Sequence, residues 1–247
     1  MTGLVAAARY LTIVPIPGAG PGRADSFGGA AVWFPVVGLG LGVVLVGVDR
    51  ITGLIFPSLL AALLTVTAWK LVTGGLHLDG LADSLDGLAG RDPAHRLAIM
   101  RDSRIGAFGA MGLILVLLLE IVAVSELPPR LRERTLLVVP VIARATPPLL
   151  ARLFRPARSE GSGAAFSASV EWWAAPVALA MALAVTLAAL QGLGALVFAL
   201  SVACAVAVAW FIVTRVSGIT GDVLGAAIEV GELAGLLTVS AWSHLAR

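Results

Sequence analysis

Charge is what this sequence has least of. Only 13% of its 247 residues are Asp, Glu, Lys or Arg, while 59% are hydrophobic and the mean hydropathy is +0.98. A soluble domain carries about a quarter charged residues, so a globule of this size has too little polar surface to cover itself. The shortage excludes a soluble globular domain and a nucleic-acid reader, and a formal net charge of +2 is too small to suggest a polyanion partner. Cysteine is nearly missing as well. Cys204 stands alone in an apolar run, which excludes an intramolecular disulfide framework, an extracellular disulfide scaffold and a thiolate metal cluster. Lys70 is the only lysine among 17 basic residues. The period-2 alternation of a membrane barrel is also lacking.

What remains is a series of long apolar runs. A helix needs roughly 20 apolar residues to cross the hydrocarbon core. Residues 30–48, 54–73, 108–124, 135–151, 172–190 and 195–213 meet that need, and 223–242 form a weaker seventh run. The expectation is an all-α fold: a polytopic integral membrane helical bundle of six or seven spans, one domain over residues 1–247, with no internal repeat. Seven crossings put Arg9, Arg23, Arg91, Arg96, Arg101, Arg104, Arg152, Arg155, Arg158 and Arg215 on the N-terminal side. The opposite side receives Arg50, Arg130, Arg132, Arg134 and Arg247. The positive-inside rule then places the N-terminal side in the cytoplasm, together with the long polar connections and most of the acidic residues. The opening stretch, with Arg9 in a short apolar run and no small-residue cleavage site, reads as an amphipathic interfacial segment rather than a removable signal peptide.

Three polar constellations interrupt the apolar background. In Leu76-His-Leu-Asp-Gly-Leu-Ala-Asp-Ser-Leu-Asp-Gly87, Asp79, Asp83 and Asp86 are spaced i, i+4, i+7. On a helix that spacing puts them on one face, where like charges one turn apart repel. A hard divalent cation relieves such repulsion, and Mg²⁺ favours a few carboxylates shared with substrate phosphates. His77, just upstream, is placed to act as a base or to orient a carboxylate. A solvated acidic helix start accounts for one aspartate, but three in register at a membrane boundary point to a site. In Met100-Arg-Asp-Ser-Arg-Ile-Gly106, Arg101 and Arg104 lie about one turn apart beside Asp102. Guanidinium forks suit phosphate oxygens, and the glycine-rich helix start that follows offers backbone N–H groups to an anion. Positive-inside anchoring explains the same two arginines equally well.

The third constellation is Thr220-Gly-Asp-Val-Leu-Gly-Ala-Ala-Ile-Glu-Val-Gly-Glu232, in which Asp222, Glu229 and Glu232 share a helix face. Glu229 and Glu232 fall inside an apolar span, where carboxylates mark functional sites. Metal binding and ion coupling both fit them. Asp222 starts its span on the side that carries the first acidic stripe, so the two stripes could share a metal pair. Arg152, Arg155 and Arg158, followed by Ser159-Glu-Gly-Ser-Gly163, form a basic connection that could clamp a pyrophosphate or serve only as an anchoring loop. Lys70 and Arg144 also fall within spans, where charges pair, line a cavity or, for a lysine, snorkel. Glu120 is a further intraspan carboxylate, and the sequence assigns it no partner.

These motifs, in this order, resemble the cobalamin synthase family, also called adenosylcobinamide-GDP ribazoletransferase. The likeness extends to Tyr10-Leu-Thr-Ile-Val-Pro-Ile-Pro17 and Phe34-Pro-Val-Val-Gly38 and covers nearly the whole chain. It implies a multi-pass enzyme of the inner (cytoplasmic) membrane with its active site facing the cytoplasm. The implied reaction moves the phosphocobinamide part of adenosylcobinamide-GDP to α-ribazole or α-ribazole 5′-phosphate, with Mg²⁺, releasing GMP. Carried over by motif, Asp79, Asp83, Asp86, Asp222, Glu229 and Glu232 become metal ligands. His77, Asp79, Asp83 and Asp86 become the catalytic group. Arg101, Asp102, Arg104, Arg152, Arg155, Arg158, Arg215 and Thr220 become phosphate or substrate contacts. The implied partners are the two substrates and the lipid bilayer, with no nucleic acid, and with room for a homo-oligomer or for other corrinoid enzymes at the membrane. Two positions depart from the pattern: Ile13 stands where the family usually carries a basic residue, and Ser217-Gly218 replaces Gly-Gly. A CDP-alcohol phosphotransferase is the nearest alternative enzyme, but its Asp-Gly-x2-Ala-Arg motif would need Ala-Arg where this chain has Asp83-Ser84. A cation-coupled transporter would draw on Glu120, Glu229 and Glu232 but calls for paired broken helices, of which the sequence shows no sign.

Overall fold

Proline and glycine punctuate the apolar runs and set where each helix begins, bends and ends. The computed structural model describes residues 2–16, 27–158 and 161–246. Arg23, Arg247 and the Ser159-Glu160 part of the basic connection lie outside the described residues. Helix α1 (Thr2–Leu11) and the short α2 (Phe27–Ala30) precede a 3-10 turn (Ala31–Trp33) and the long α3 (Phe34–Gly53). Then follow α4 (Ser58–Val72), α5 (Leu76–Gly87), α6 (Pro93–Ile99), α7 (Ala107–Glu126), α8 (Pro129–Arg144) and α9 (Thr146–Leu153). The chain closes with α10 (Ser162–Ser169), α11 (Ala174–Leu190), α12 (Gly192–Val216) and α13 (Gly221–Leu245). Pro35 and Pro129 sit in the first turns of α3 and α8, where a missing N–H costs nothing.

Among the described residues, five helical stretches are long and apolar enough to cross a membrane, and two bent helix pairs bring the total to seven. The protein is a membrane-integral helical bundle. The seventh apolar run is a continuous helix of 25 residues, about 37 Å long at 1.5 Å per residue. Two expected spans are shorter than the sequence suggested. Residues 54–57 stay outside α4, whose N-cap is Pro57, and α4 has only 15 residues before the chain turns by 87° into α5. The apolar run at 172–190 likewise narrows to α11, which meets α10 at 95°. Conversely, the fourth span starts early, at Pro129, and steps from α8 into α9 at Ala145.

The 87° turn is what makes α5 a functional element rather than the end of a span. Gly74 and Gly75 hold φ values of +63° and +69°, a left-handed conformation that glycine adopts without steric cost. The Gly75 N–H closes the turn on the Lys70 carbonyl at 2.9 Å. Helix α5 then lies between α13 and α7 through glycine contacts. A β-carbon on Gly80 would stand 2.8 Å from the Asp222 carbonyl oxygen, and one on Gly109 would stand 2.9 Å from that of Ala82. Elsewhere Gly38 and Gly42 of α3 lie directly on the backbone of α8 at Pro140 and Leu137. Apolar side chains gain little by leaving lipid for protein, so close backbone approach through small residues is how membrane helices gain packing energy. The large side chains are left outside: Ile114, Leu115, Leu118 and Leu119 of α7 are all exposed.

The N-terminal segment is part of the bundle. Ala7 and Leu11 are fully buried, and the Tyr10 ring stacks with Phe34 and Phe166 at centroid distances of 5.7 and 5.8 Å. The Ile13 N–H donates to the Val72 carbonyl at 3.0 Å, which pins the segment beside the α4–α5 turn. A single parallel bridge, Pro156 to Ile219, ties the loop after α9 to the loop before α13.

Candidate active site

A cavity of about 940 Å³ opens where α1, the α4–α5 turn and the loop before α7 converge. Asp79 and Asp83 line it from α5, Arg101, Asp102, Ser103 and Arg104 from the loop, and Arg9, Tyr10, Thr12 and Ile13 from the N-terminal segment. The i, i+4 spacing works as expected, because α5 is helical across the whole motif. Asp222 joins the two carboxylates from α13. Its backbone rests on Gly80, between Asp79 and Asp83 in sequence. Burial, followed by the charges of Asp79, Asp222 and Asp86, pushes the Asp83 carboxyl up to about 7. Among the described residues, no ion pair involves Asp79, Asp83 or Asp222.

Asp86 has a different occupation. Its two oxygens accept the backbone N–H groups of Gly106 and Gly109 at 2.7 and 2.8 Å, so it caps the N-terminus of α7 from a neighbouring helix. A carboxylate there meets free N–H groups and the positive end of the helix dipole. The anion expected at this glycine-rich helix start is therefore Asp86 itself, not a phosphate, and Asp86 does not line the cavity. The glycine pair three residues apart was the available signal for this contact.

Thr220 caps its own helix. Its Oγ1 accepts the Val223 N–H at 3.3 Å and donates to Asp222 Oδ2 at 3.1 Å, which orients that carboxylate. Thr220 and Asp222 line a small pocket of about 90 Å³ together with Arg158. Arg158 donates to the Leu97 carbonyl at 3.1 Å and lies close enough to Arg101 and Asp222 to feel both charges. Arg104 forks onto Asp102, with Nη2–Oδ2 at 2.5 Å, and this pairing holds the Asp102 carboxyl down at about 2. The other expected phosphate contacts are dispersed. Arg152 is exposed at the end of α9, and Arg155 has an exposed side chain and a carbonyl engaged by the Ile219 N–H. Arg215 folds back on its own helix, 3.5 Å over the Phe211 ring, and donates to the Phe211 carbonyl.

Glu229 and Glu232 do not join the aspartates. They sit in a buried ion cluster with Glu120, Lys70 and Arg144. Lys70 Nζ donates to Glu120 at 3.0 Å, to Glu229 at 2.6 Å and to Glu232 at 3.2 Å. Arg144 Nη1 bonds the other oxygen of Glu232. The three carboxylates stand close enough to hold a cation, and the Lys70 ammonium fills that place. Lys70 therefore does not snorkel, and Glu120 has the partner the sequence could not assign. His77 is buried against the same cluster, with Nδ1 3.4 Å from Arg144 Nη2, and it is not part of the cavity wall. The sequence reading also missed Arg9, Tyr10 and Ser103 as cavity residues. Burial, with a smaller effect from Asp222, pushes the Tyr10 phenol up to about 12, so it faces the site as a neutral hydroxyl.

The family model described as "Cobalamin-5-phosphate synthase" matches residues 3–240. A protein of Geotalea daltonii named adenosylcobinamide-GDP ribazoletransferase is 40% identical over 239 residues, 95% of each chain. Proteins with the same name from Chlorobium phaeobacteroides and Escherichia coli are 36% and 37% identical, covering 94% and 93% of this chain and 95% and 96% of their own. No solved structure matches the chain.

Proposed function

We infer the reaction from kinship and from the site together: the chain belongs to the cobalamin-5-phosphate synthase family. It is an enzyme that transfers the phosphocobinamide part of adenosylcobinamide-GDP to α-ribazole or α-ribazole 5′-phosphate. The hydroxyl oxygen of the acceptor ribose forms a P–O bond to the phosphorus that carries cobinamide. The anhydride bond to GMP breaks, and GMP leaves with the bridging oxygen. The observation that carries this reading is the placing of Asp79 and Asp83, in no ion pair among the described residues, backed by Asp222, with Arg101 and Arg104 in one cavity wall.

The donor set suits Mg²⁺. It consists of carboxylate oxygens only, and the Asp83 carboxyl is raised first by burial and then by the neighbouring carboxylate charges, which a divalent cation would offset. Asp79, Asp83 and Asp222 would hold the ion, and when bound it neutralises charge on the diphosphate and the departing GMP. Thr220 keeps Asp222 aimed. Arg101 and Arg104 take the remaining phosphate charge, Arg104 being held in place by Asp102. A carboxylate oxygen of the aspartate group receives the hydroxyl proton. His77 contributes elsewhere, as argued below. The excess of arginines on the side that bears this cavity supports a cytoplasmic orientation. Ion coupling by the buried glutamates loses support, because Lys70 occupies the space between them.

The test is GMP release by protein purified into lipid, given adenosylcobinamide-GDP, α-ribazole and Mg²⁺, with Asp83→Asn as control. Mg²⁺-dependent GMP with a cobalamin product, reduced by about a thousandfold or more in Asp83→Asn, supports reaction and site together. Product that persists in the variant removes the metal assignment. No product from folded wild-type protein removes the reaction.

A further inference from the structure

Two residues along a helix is a rotation of about 200°, so His77 and Asp79 face opposite ways from the first turn of α5. The aspartate side looks into the cavity. The histidine side looks into the protein, where a β-carbon on Gly225 of α13 would stand 3.2 Å from the His77 Cα and carbonyl oxygen. Arg144, on α8 and 1% exposed, sits behind it. One nitrogen of its guanidinium bonds Glu232 of α13, and another lies 3.4 Å from His77 Nδ1. A guanidinium only donates, so Nδ1 is the acceptor and the ring proton resides on Nε2. A continuous polar chain thus runs from α13 through α8 to α5.

We infer that Arg144 and His77 are positioning residues for the transfer reaction: together they hold the first turn of α5 against α13, so that Asp79 and Asp83 stand beside Asp222. The inference rests on the phosphoryl-transfer reading of the site and deepens it. Shape alone makes the α5–α13 contact close, since Gly80 and Gly225 offer no side chains, but two glycines do not fix how far one helix slides along the other. The Glu232–Arg144–His77 chain supplies that directional constraint, because hydrogen bonds between buried groups fail within a fraction of an ångström of misalignment. The charged groups around His77 are Arg144 from α8, Lys70 from α4, Glu229 and Glu232 from α13 and Glu120 from α7. The imidazole nitrogen that faces the Arg144 guanidinium is an acceptor, so His77 serves as a hydrogen-bond acceptor and not as the proton carrier of the reaction.

The experiment compares His77→Asn, His77→Gln and His77→Ala in the purified enzyme in lipid. An asparagine amide oxygen can occupy the place of Nδ1, whereas glutamine reaches toward that of Nε2. Three quantities are read: kcat for GMP release, its pH profile, and Mn²⁺ binding to the acidic face by electron paramagnetic resonance. The Asn variant should stay within about threefold of wild type, while Gln and Ala lose about tenfold or more in kcat and weaken Mn²⁺ binding. The shape of the pH profile should survive in all three. Asn falling as far as Ala, an Asn variant that does not fold, or an acidic limb that disappears with the histidine overturns the proposal. A wild-type protein that releases no GMP would instead remove the reaction, and the Mn²⁺ comparison would still decide the positioning role.

Discussion

Helix α13 carries carboxylates into two settings that differ in one respect. At its start, Asp222 meets Asp79 and Asp83 with no cationic partner in an ion pair among the described residues. Two to three turns further in, Glu229 and Glu232 meet Glu120 around the Lys70 ammonium, with Arg144 alongside. The inner group is a cation site already filled by the protein, and the outer group is the one we propose for a ligand. Proximity of acidic residues thus does not identify a metal site; the presence or absence of a resident cation does. The inner cluster ties α4, α7, α8 and α13 together, and in an apolar surrounding such paired buried charges leave few alternative arrangements.

The sharpest way to break this contrast is to remove the resident cation. Lys70→Met should strand three buried carboxylates and cost about 3–5 kcal/mol of stability, read as a large fall in the thermal midpoint in lipid or detergent. If the variant survives, it should bind divalent ions at the inner site, and an unchanged midpoint without ions would refute the account. A smaller effect is expected from Gly80→Ala. The added methyl would meet Asp222 backbone atoms at 2.8 and 2.9 Å, so α5 and α13 must part. Overpacking of this kind costs about 1–3 kcal/mol, and Mn²⁺ affinity should drop severalfold while the inner cluster stays intact. Wild-type affinity in Gly80→Ala would show that the crossing does not set the site.

The smallest effect is a pH dependence of the metal-free protein. Asp83 has its carboxyl raised to about 7 from an ordinary 3.8. At Asp83 the folded state therefore binds more protons than the unfolded state between those values, and the stability that this group contributes falls as pH rises from about 4 to about 7. Saturating Mg²⁺ should cancel the slope, and Asp83→Asn should abolish it. Thermal midpoints of wild type relative to Asp83→Asn across that range, with and without Mg²⁺, would test it; a difference that grows in favour of wild type as pH rises would contradict the electrostatics. Asp83 is only half-buried, so solvent screening keeps the effect modest.

Much of this was legible in the residues themselves. The apolar runs specified a helical membrane bundle, because the length needed to cross a bilayer is a property of chain and lipid rather than of packing. The acidic spacing specified a helix with Asp79 and Asp83 on one side, and that is how α5 is built. The family motifs run in order along the chain, which is a one-dimensional property too. Boundaries were less legible: apolar composition does not register the break at Pro57 or the near-right-angle turn at Gly74-Gly75, where backbone conformation decides.

The tertiary structure alone decided which like residues would be partners. Asp86 shares a face with Asp83, yet a helix N-terminus 20 residues on takes it up through Gly106 and Gly109. Glu229 and Glu232 share a face with Asp222, yet Lys70, more than 150 residues earlier, claims them. His77 sits two residues from Asp79, yet it faces Arg144. Sequence spacing sets directions on one helix. The energies of buried charges depend on what the neighbouring helix brings within about 3 Å, and that distance exists only once the bundle has packed.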